Sequence, residues 1–241
     1  MKNKLPLLLL ASICIASCNV AYRPSMVNTP LFTEKGEVAF GASFNNVQAA
    51  YALTNHVGIM ANGYLQQSNV EINETGEGGT GYLGEAGIGY FTLLDNQHLV
   101  FETYAGAGYG GLNLYTNFRE NNVMQKREFD ANGTKIFIQP GIGYKLPYFE
   151  VSGAIRYTNI NYNNIQLTNY TDARMREDNL QNLGNTSFTF LEPTVTIRAG
   201  FRNVKFQVQY INSVKLTSAD INYTSEVINF GVFIKVPTRK L

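Results

Sequence analysis

Lys135-Ile136-Phe137-Ile138-Gln139-Pro140-Gly141-Ile142-Gly143-Tyr144-Lys145, the turn Leu146-Pro147-Tyr148, and Phe149-Glu150-Val151-Ser152-Gly153-Ala154-Ile155-Arg156-Tyr157 form the stretch that decides the fold. Side chains along a strand point to opposite faces with period two. One parity of the first run collects Ile136, Ile138, Pro140, Ile142, Tyr144 and Leu146, and the other Lys135, Phe137, Gln139, Gly141, Gly143 and Lys145. The second run sets Phe149, Val151, Gly153, Ile155 and Tyr157 against Glu150, Ser152, Ala154, Arg156 and Thr158. Two alternating runs joined by a short proline turn read as an antiparallel hairpin. One face is β-branched or aromatic; the other carries charge and glycine.

The same pattern extends in both directions. Val204, Phe206, Val208 and Tyr210 alternate with Lys205, Gln207 and Gln209, and Ile228, Phe230, Val232, Ile234 and Val236 with Asn229, Gly231 and Lys235. Ten strands are predicted, over 37–44, 47–53, 57–66, 80–94, 99–115, 133–146, 149–161, 187–200, 204–216 and 225–236. The turns at 54–56, 95–98, 146–148 and 201–203 fall on one rim. The other rim receives long loops at 67–79, 117–132, 162–186 and 217–224, with one tight turn at Asn45-Asn46. Short turns on one side, long loops on the other and an even strand number point to an all-β, closed antiparallel up-and-down transmembrane β-barrel of about ten strands, eight being the alternative count.

A sheet with one face on a soluble core alternates too. Three features favour the membrane. The charged face is rich in small residues, which suits a crowded interior. Tyr51, Tyr90, Phe91, Phe101, Tyr144, Tyr148, Phe149, Phe201 and Phe206 gather beside the short turns, as an interfacial girdle does. The apolar runs also approach the roughly 9 to 11 residues that cross a bilayer as a strand.

If the charged face lines the lumen, Glu37, Glu85, Glu102, Glu150 and Glu192 meet Lys135, Lys145, Arg156, Arg198, Lys205 and Lys235 there. Buried charges demand partners, and a barrel of this size encloses little more than its own side chains. The expectation is a plugged, charge-paired lumen rather than a general pore. Thr103, Thr189 and Pro193 interrupt the apolar face, and Pro193 calls for a bulge or a strained ladder position.

The chemistry of catalysis is sparse. The only histidines, His56 and His98, both fall in short turns, so no catalytic residue is assigned. With no spare thiol, no metal site or cofactor is expected either. Gly106-Ala107-Gly108-Tyr109-Gly110-Gly111 matches the dinucleotide-binding spacing, but Leu112-Asn113-Leu114-Tyr115 continues a strand where a helix would be needed. Five N-x-[ST] sites, at Asn73, Asn132, Asn169, Asn185 and Asn222, mark expected loops. With 19 Lys and Arg against 18 Asp and Glu, nothing selects nucleic acid as a partner. Specificity falls to the long loops, where Arg119, Arg127, Tyr170, Arg174 and Arg176 combine charge with aromatic surface.

At the start, Met1-Lys2-Asn3-Lys4 precedes an apolar run from Leu5 to Ile15, then Ala16-Ser17-Cys18. This is signal-peptide anatomy, too short for a membrane span. The Ile15-Ala16-Ser17-Cys18 box resembles that of bacterial lipoproteins, which implies cleavage before Cys18 and acylation of its thiol. Residues 1–17 are then a signal peptide, 18–36 a lipidated linker and 37–241 the barrel. Both barrel termini lie on the short-turn rim, and the linker, up to about 60 Å when extended, reaches the periplasmic leaflet from there.

Tyr22-Arg23-Pro24, Asn28-Thr29-Pro30-Leu31-Phe32, Glu34-Lys35-Gly36-Glu37 and Ala50-Tyr51-Ala52-Leu53-Thr54-Asn55-His56-Val57-Gly58 resemble small lipid-anchored barrels of Bacteroidota outer membranes. The resemblance implies location and architecture and carries over no catalytic residue. No acidic cluster follows Cys18, as it does in lipoproteins exported to the surface, which points to an anchor in the periplasmic leaflet. The reading is a non-enzymatic outer-membrane barrel with membrane lipid, and another outer-membrane protein complex, as partners. A barrel enzyme acting on lipid or peptide, and a narrow conduit for small solutes or lipids, are the alternatives.

Overall fold

The computed structural model describes residues 20–72, 75–94 and 98–236. The signal peptide, Cys18 and Asn73 fall outside them. Eleven strands form in chain order: β1 Val38–Ser43, β2 Asn46–Ala52, β3 Val57–Ile72, β4 Thr75–Leu93, β5 Leu99–Glu120, β6 Val123–Lys145, β7 Phe149–Thr168, β8 Phe188–Gly200, β9 Val204–Asn212, β10 Val214–Lys215 and β11 Glu226–Val236. Each long strand pairs antiparallel with its sequence neighbour, β9 pairs with β11, and β11 pairs with β1. Ten strands thus close into an up-and-down barrel, with the two-residue β10 outside that count.

The alternation that identified the strands also sets their facing. Ile136, Ile138, Ile142 and Tyr144 of β6 are exposed, as are Phe149, Ile155 and Tyr157 of β7 and Ile228, Phe230, Val232, Ile234 and Val236 of β11. Lys135, Gln139, Glu150 and Arg156 are buried. Among the aromatics expected in the short-turn girdle, Tyr51, Tyr90, Tyr144, Tyr148, Phe149, Phe201 and Phe206 are exposed. Phe91 is not: it follows outward Tyr90, so its parity turns it inward, where its ring lies 5.6 Å from Phe32. Exposed Tyr82 and Tyr210 sit nearer the long-loop ends of their strands, and exposed Phe44 follows β1 on the same side.

Two of the expected long loops are strand. β3 and β4 stay paired to Ile72 and Thr75, and β5 and β6 to Glu120 and Val123, where Asn121 and Asn122 take positive φ (50° and 62°) in a two-residue turn. Segments 67–72 and 75–79, and 117–132, therefore rise as paired strands above the apolar belt. Asn132 lies in β6, beside a register shift at Asp130, and not in a loop. The 162–186 segment begins as the end of β7 and then forms a short helix, α1 Asp172–Glu177, with Thr171 Oγ1 capping its N-terminus by accepting from the Arg174 amide.

Pro193 sits in register opposite Ile155 of β7. On its other side the β8–β9 ladder stops at Thr194 opposite Ile211 and resumes, in the same register, at Leu191 opposite Val214 of β10. A proline has no N–H to give the ladder. The cost expected as a bulge appears as a gap, and the expected strand 204–216 is split into β9 and β10. Gly106 to Gly111 lie within β5, as the strand reading requires.

Candidate functional site

Residues 20–36, expected as a linker outside the barrel, run through its interior from one rim to the other. At the long-loop rim, the Ala21 and Tyr22 amides donate to the Asn222 carbonyl at 2.9 and 3.2 Å, and Tyr22 forms an isolated parallel bridge with Tyr223. Tyr162 Oη donates to the Ala21 carbonyl at 2.6 Å. At the short-turn rim, the Thr33 amide donates to Glu37 Oε2 at 2.7 Å, and the Gly36 amide to the Ala52 carbonyl at 2.8 Å. Gly36, at φ 84°, makes the bend that admits the chain to β1. Between the rims, Ser25 through Phe32 are all buried.

Inward side chains from around the wall replace the ladder that this segment lacks. Gln209 of β9 accepts from the Val27 amide at 2.9 Å and donates to the Val27 carbonyl at 2.8 Å, as a neighbouring strand would. Asn46 Oδ1 accepts from the Met26 amide at 3.1 Å, and Gln139 Nε2 donates to the Asn28 carbonyl at 2.7 Å. Arg198 Nη1 donates to the Thr29 carbonyl at 2.7 Å. Leu31 takes a positive φ of 50°, strained for a branched side chain. Its amide donates to Glu102 Oε2 at 2.9 Å, and its carbonyl accepts from Lys235 Nζ at 2.6 Å, so both of its peptide groups are held. Gly143 supplies the space: a Cβ there would meet Leu31 Cδ2 at 2.5 Å.

The lumen charges fall into two clusters around this segment. Nearer the long loops, Glu85 accepts from Lys135 Nζ at 2.7 Å, lies 3.5 Å from Arg156 Nη1, and accepts from Asn62 Nδ2 at 2.9 Å and Ser25 Oγ at 3.1 Å. Arg156 also donates from Nε and Nη2 to Gln139 Oε1 at 3.0 and 2.7 Å. Glu192 is bound by hydroxyls, those of Tyr22 and Thr158. Toward the short turns, Glu37 pairs with Lys145 (3.3 Å) and Lys235 (3.2 Å), and Glu150 with Arg198 and Lys205, both at 3.2 Å. Arg198 also stacks over Phe233, its guanidinium carbon 3.6 Å from the ring centroid. This cluster borders a vestibule of about 440 Å³ with His98, Leu146 and Arg202 on its wall. Glu102 stands apart from both clusters, its Oε1 lacking a hydrogen-bond partner among the described residues.

All eleven charges that the sequence assigns to the lumen thus line one interior, and nine of them make ion pairs there. Sequence reasoning missed what they surround. From Pro24 to Thr33 the segment carries no charge and holds Met26, Val27, Leu31 and Phe32, a composition poor for a solvated tether. That was the available signal.

The loop residues assemble only in part. Arg127, on the β6 side of the tall hairpin, lies over the Phe118 ring at 4.6 Å and within 5.9 Å of the Tyr170 centroid. Asn169 Nδ2 donates to the Lys126 carbonyl at 2.7 Å, tying the end of β7 to that hairpin. Burial and the Asp178 carboxylate push the Tyr170 phenol up to about 12. Arg174 and Arg176 lie on α1, where Arg174 pairs with Glu177, and Arg119 is exposed near the hairpin tip. These residues do not converge on one pocket. His56 and His98 stack on Tyr90 and Tyr144 at the short-turn rim. No protein-family model matches the chain, and no curated protein matches it.

Proposed function

We propose that this chain is a non-enzymatic, lipid-anchored outer-membrane β-barrel whose lumen is plugged by its own N-terminal segment and paired charges, and whose long-loop rim supports or recognises a partner. The observation that carries the membrane reading is the inverted polarity of the barrel. Ion pairs and amides lie inside, while Phe40, Ile59, Ile88, Ile138, Ile155, Ile197, Val208 and Phe230, from eight strands around the wall, are exposed outside. Water would penalise such a belt, and hydrocarbon welcomes it. Because neighbouring strands of a closed barrel satisfy one another's backbone groups, interrupted here at places such as Pro193, the wall can enter lipid with few unsatisfied polar groups.

The non-conducting reading is supported by what surrounds residues 25–32. Their peptide groups are bound by side chains from β2, β5, β6, β8, β9 and β11, so a solute would have to break those bonds to pass. The recognition reading is supported by the architecture outside the belt: two hairpins, α1 and the segment before β11 rise on one side only. Purified protein reconstituted in liposomes should leave entrapped ions and small dyes in place, and gentle extraction from the outer membrane should recover it with a partner. Free leakage would overturn the plug, and recovery solely as a monomer would overturn the accessory role. Fatty-acid label lost in a Cys18→Ala variant checks the lipidation.

A further inference from the structure

We infer that the chain carries its own N-terminus through its barrel, so that the acyl group at Cys18 enters the outer leaflet beside the surface loops and not the periplasmic leaflet. This rests on the lipidation and membrane orientation proposed above. The argument is one of reach. Tyr22 is fixed at the long-loop rim by Asn222 and Tyr223, and Asn222 is itself bound to the Asp178 carbonyl and to Asn179, both on the α1 side of that rim. Thr33 is fixed at the opposite rim by Glu37. A chain covers at most about 3.3–3.6 Å per residue, so the steps from Tyr22 to Thr33 can span roughly 36–40 Å. That exceeds the ~30 Å hydrocarbon core. The four steps from Tyr22 back to Cys18 give about 14 Å at most, too little to return to the short-turn side.

The wall also provides a way out to the lipid. β1 and β2 have six and seven residues, whereas β5 and β6 have 22 and 23, so the barrel rim is lowest at the Asn45–Asn46 turn. The Asn46 side chain meets the segment at Met26, below the Tyr22 bridge, and Phe44 stands wholly exposed at the lip of this notch. An acylated N-terminus leaving the lumen over that low wall meets the outer leaflet directly. Transfer of the anchor to the surface is then a property of the barrel and needs no export signal beside the cysteine.

The test is thiol accessibility in cells expressing the full chain, where Cys14 leaves with the signal peptide and the Cys18 thiol is acylated. A membrane-impermeant maleimide is applied to intact and to permeabilised cells carrying Val20→Cys, Glu120→Cys at the tall hairpin, or Asn203→Cys at a short turn. Val20→Cys should label to the same extent before and after permeabilisation, as Glu120→Cys does, while Asn203→Cys labels only afterwards. Labelling of Val20→Cys only after permeabilisation, with Glu120→Cys already labelled, overturns the threaded topology and leaves the membrane reading intact. If Glu120→Cys itself waits for permeabilisation, the orientation fails and the inference falls with it.

Discussion

Replacing Glu85 by glutamine is the sharpest test of whether the lumen is held by its charge pairs. Glutamine keeps the size and one acceptor oxygen, removes the charge and turns the other oxygen into an NH2 donor. Glu85 is buried, and so are Lys135 and Arg156, whose cations lie 2.7 and 3.5 Å from its oxygens. Taking one partner from a buried pair leaves an uncompensated ion and costs about 3–5 kcal/mol. At 1.4 kcal/mol per factor of ten, the folding equilibrium should fall by roughly a hundredfold to a few thousandfold. The two cations are unequally supported. Arg156 retains Gln139, Ser25 and the Met26 carbonyl, whereas Lys135 retains Ser25 Oγ at 3.3 Å and the Tyr22 ring at 5.8 Å. The loss should therefore concentrate on Lys135, and Glu85→Gln combined with Lys135→Met should recover most of it.

The assay is equilibrium urea unfolding of the barrel in lipid vesicles, followed by tyrosine fluorescence and by the mobility shift of folded barrel on unheated gels. A Glu85→Gln cost below about 1 kcal/mol would show that the lumen solvates these cations as a wet pore does. Strict additivity of the two changes would equally refute the pairing, because contacting residues must show an interaction energy.

Three further outcomes follow from the same geometry. Deleting residues 20–32 should give a barrel that still shifts on unheated gels but shows ion conductance in planar bilayers, where the full chain is silent; a silent deletion would mean the wall side chains close the lumen alone. Gly143→Ala should cost about 1–3 kcal/mol by overpacking, since its Cβ would meet Leu31 Cδ2 at 2.5 Å, and should cost less in a Leu31→Ala background, where the Ser152 Cβ at 3.0 Å remains; an equal cost in both would locate the clash at Ser152. Ile138→Arg, on the exposed belt, should destabilise the membrane-inserted barrel by about 2–4 kcal/mol, while Val123→Arg, exposed beside the hairpin tip, should be nearly neutral in the same urea titration.

The wall of this barrel was legible because two environments with opposite demands meet across it. Where an exposed apolar face lies opposite packed charge, as along β6 from Lys135 to Lys145, parity cannot slip without placing every side chain on the wrong face. Above the belt that contrast ends. From Leu112 to Phe118 and from Gln125 to Ala131 both faces tolerate polar residues, the period-two pattern fades, and the hairpins looked like loops although their backbone pairing continues. Phe91 misled for another reason: being aromatic and near a turn placed it in the girdle, but its position next to Tyr90 did not allow that. Segment 20–36 had no period to read at all. It is bonded by side chains and not by a ladder, so neither the strand rule nor the helix rule applies, and only the uncharged run from Pro24 to Thr33 distinguished it from a tether.

That segment also constrains how the molecule is built. Gly36 and Glu37 join it directly to β1, and β1 forms the closing seam with β11 through register pairs from Val38–Val236 to Ser43–Gly231. Threading a closed barrel would drag the N-terminus past Glu37, Glu150 and Glu85 and their cations, against the desolvation of each pair. Closing the wall around a segment already in place meets no such barrier. Gln209 then accepts the Val27 amide as β9 arrives, and Lys235 takes the Leu31 carbonyl as β11 docks. Two of the last three strands to be synthesised, β9 and β11, complete the binding of Val27 and Leu31, and the β1–β11 seam shuts once the lumen is filled. A chain lacking residues 20–32 should accordingly close more slowly in refolding kinetics even where its final stability is retained. Equal folding rates with and without the segment would show that the wall closes first.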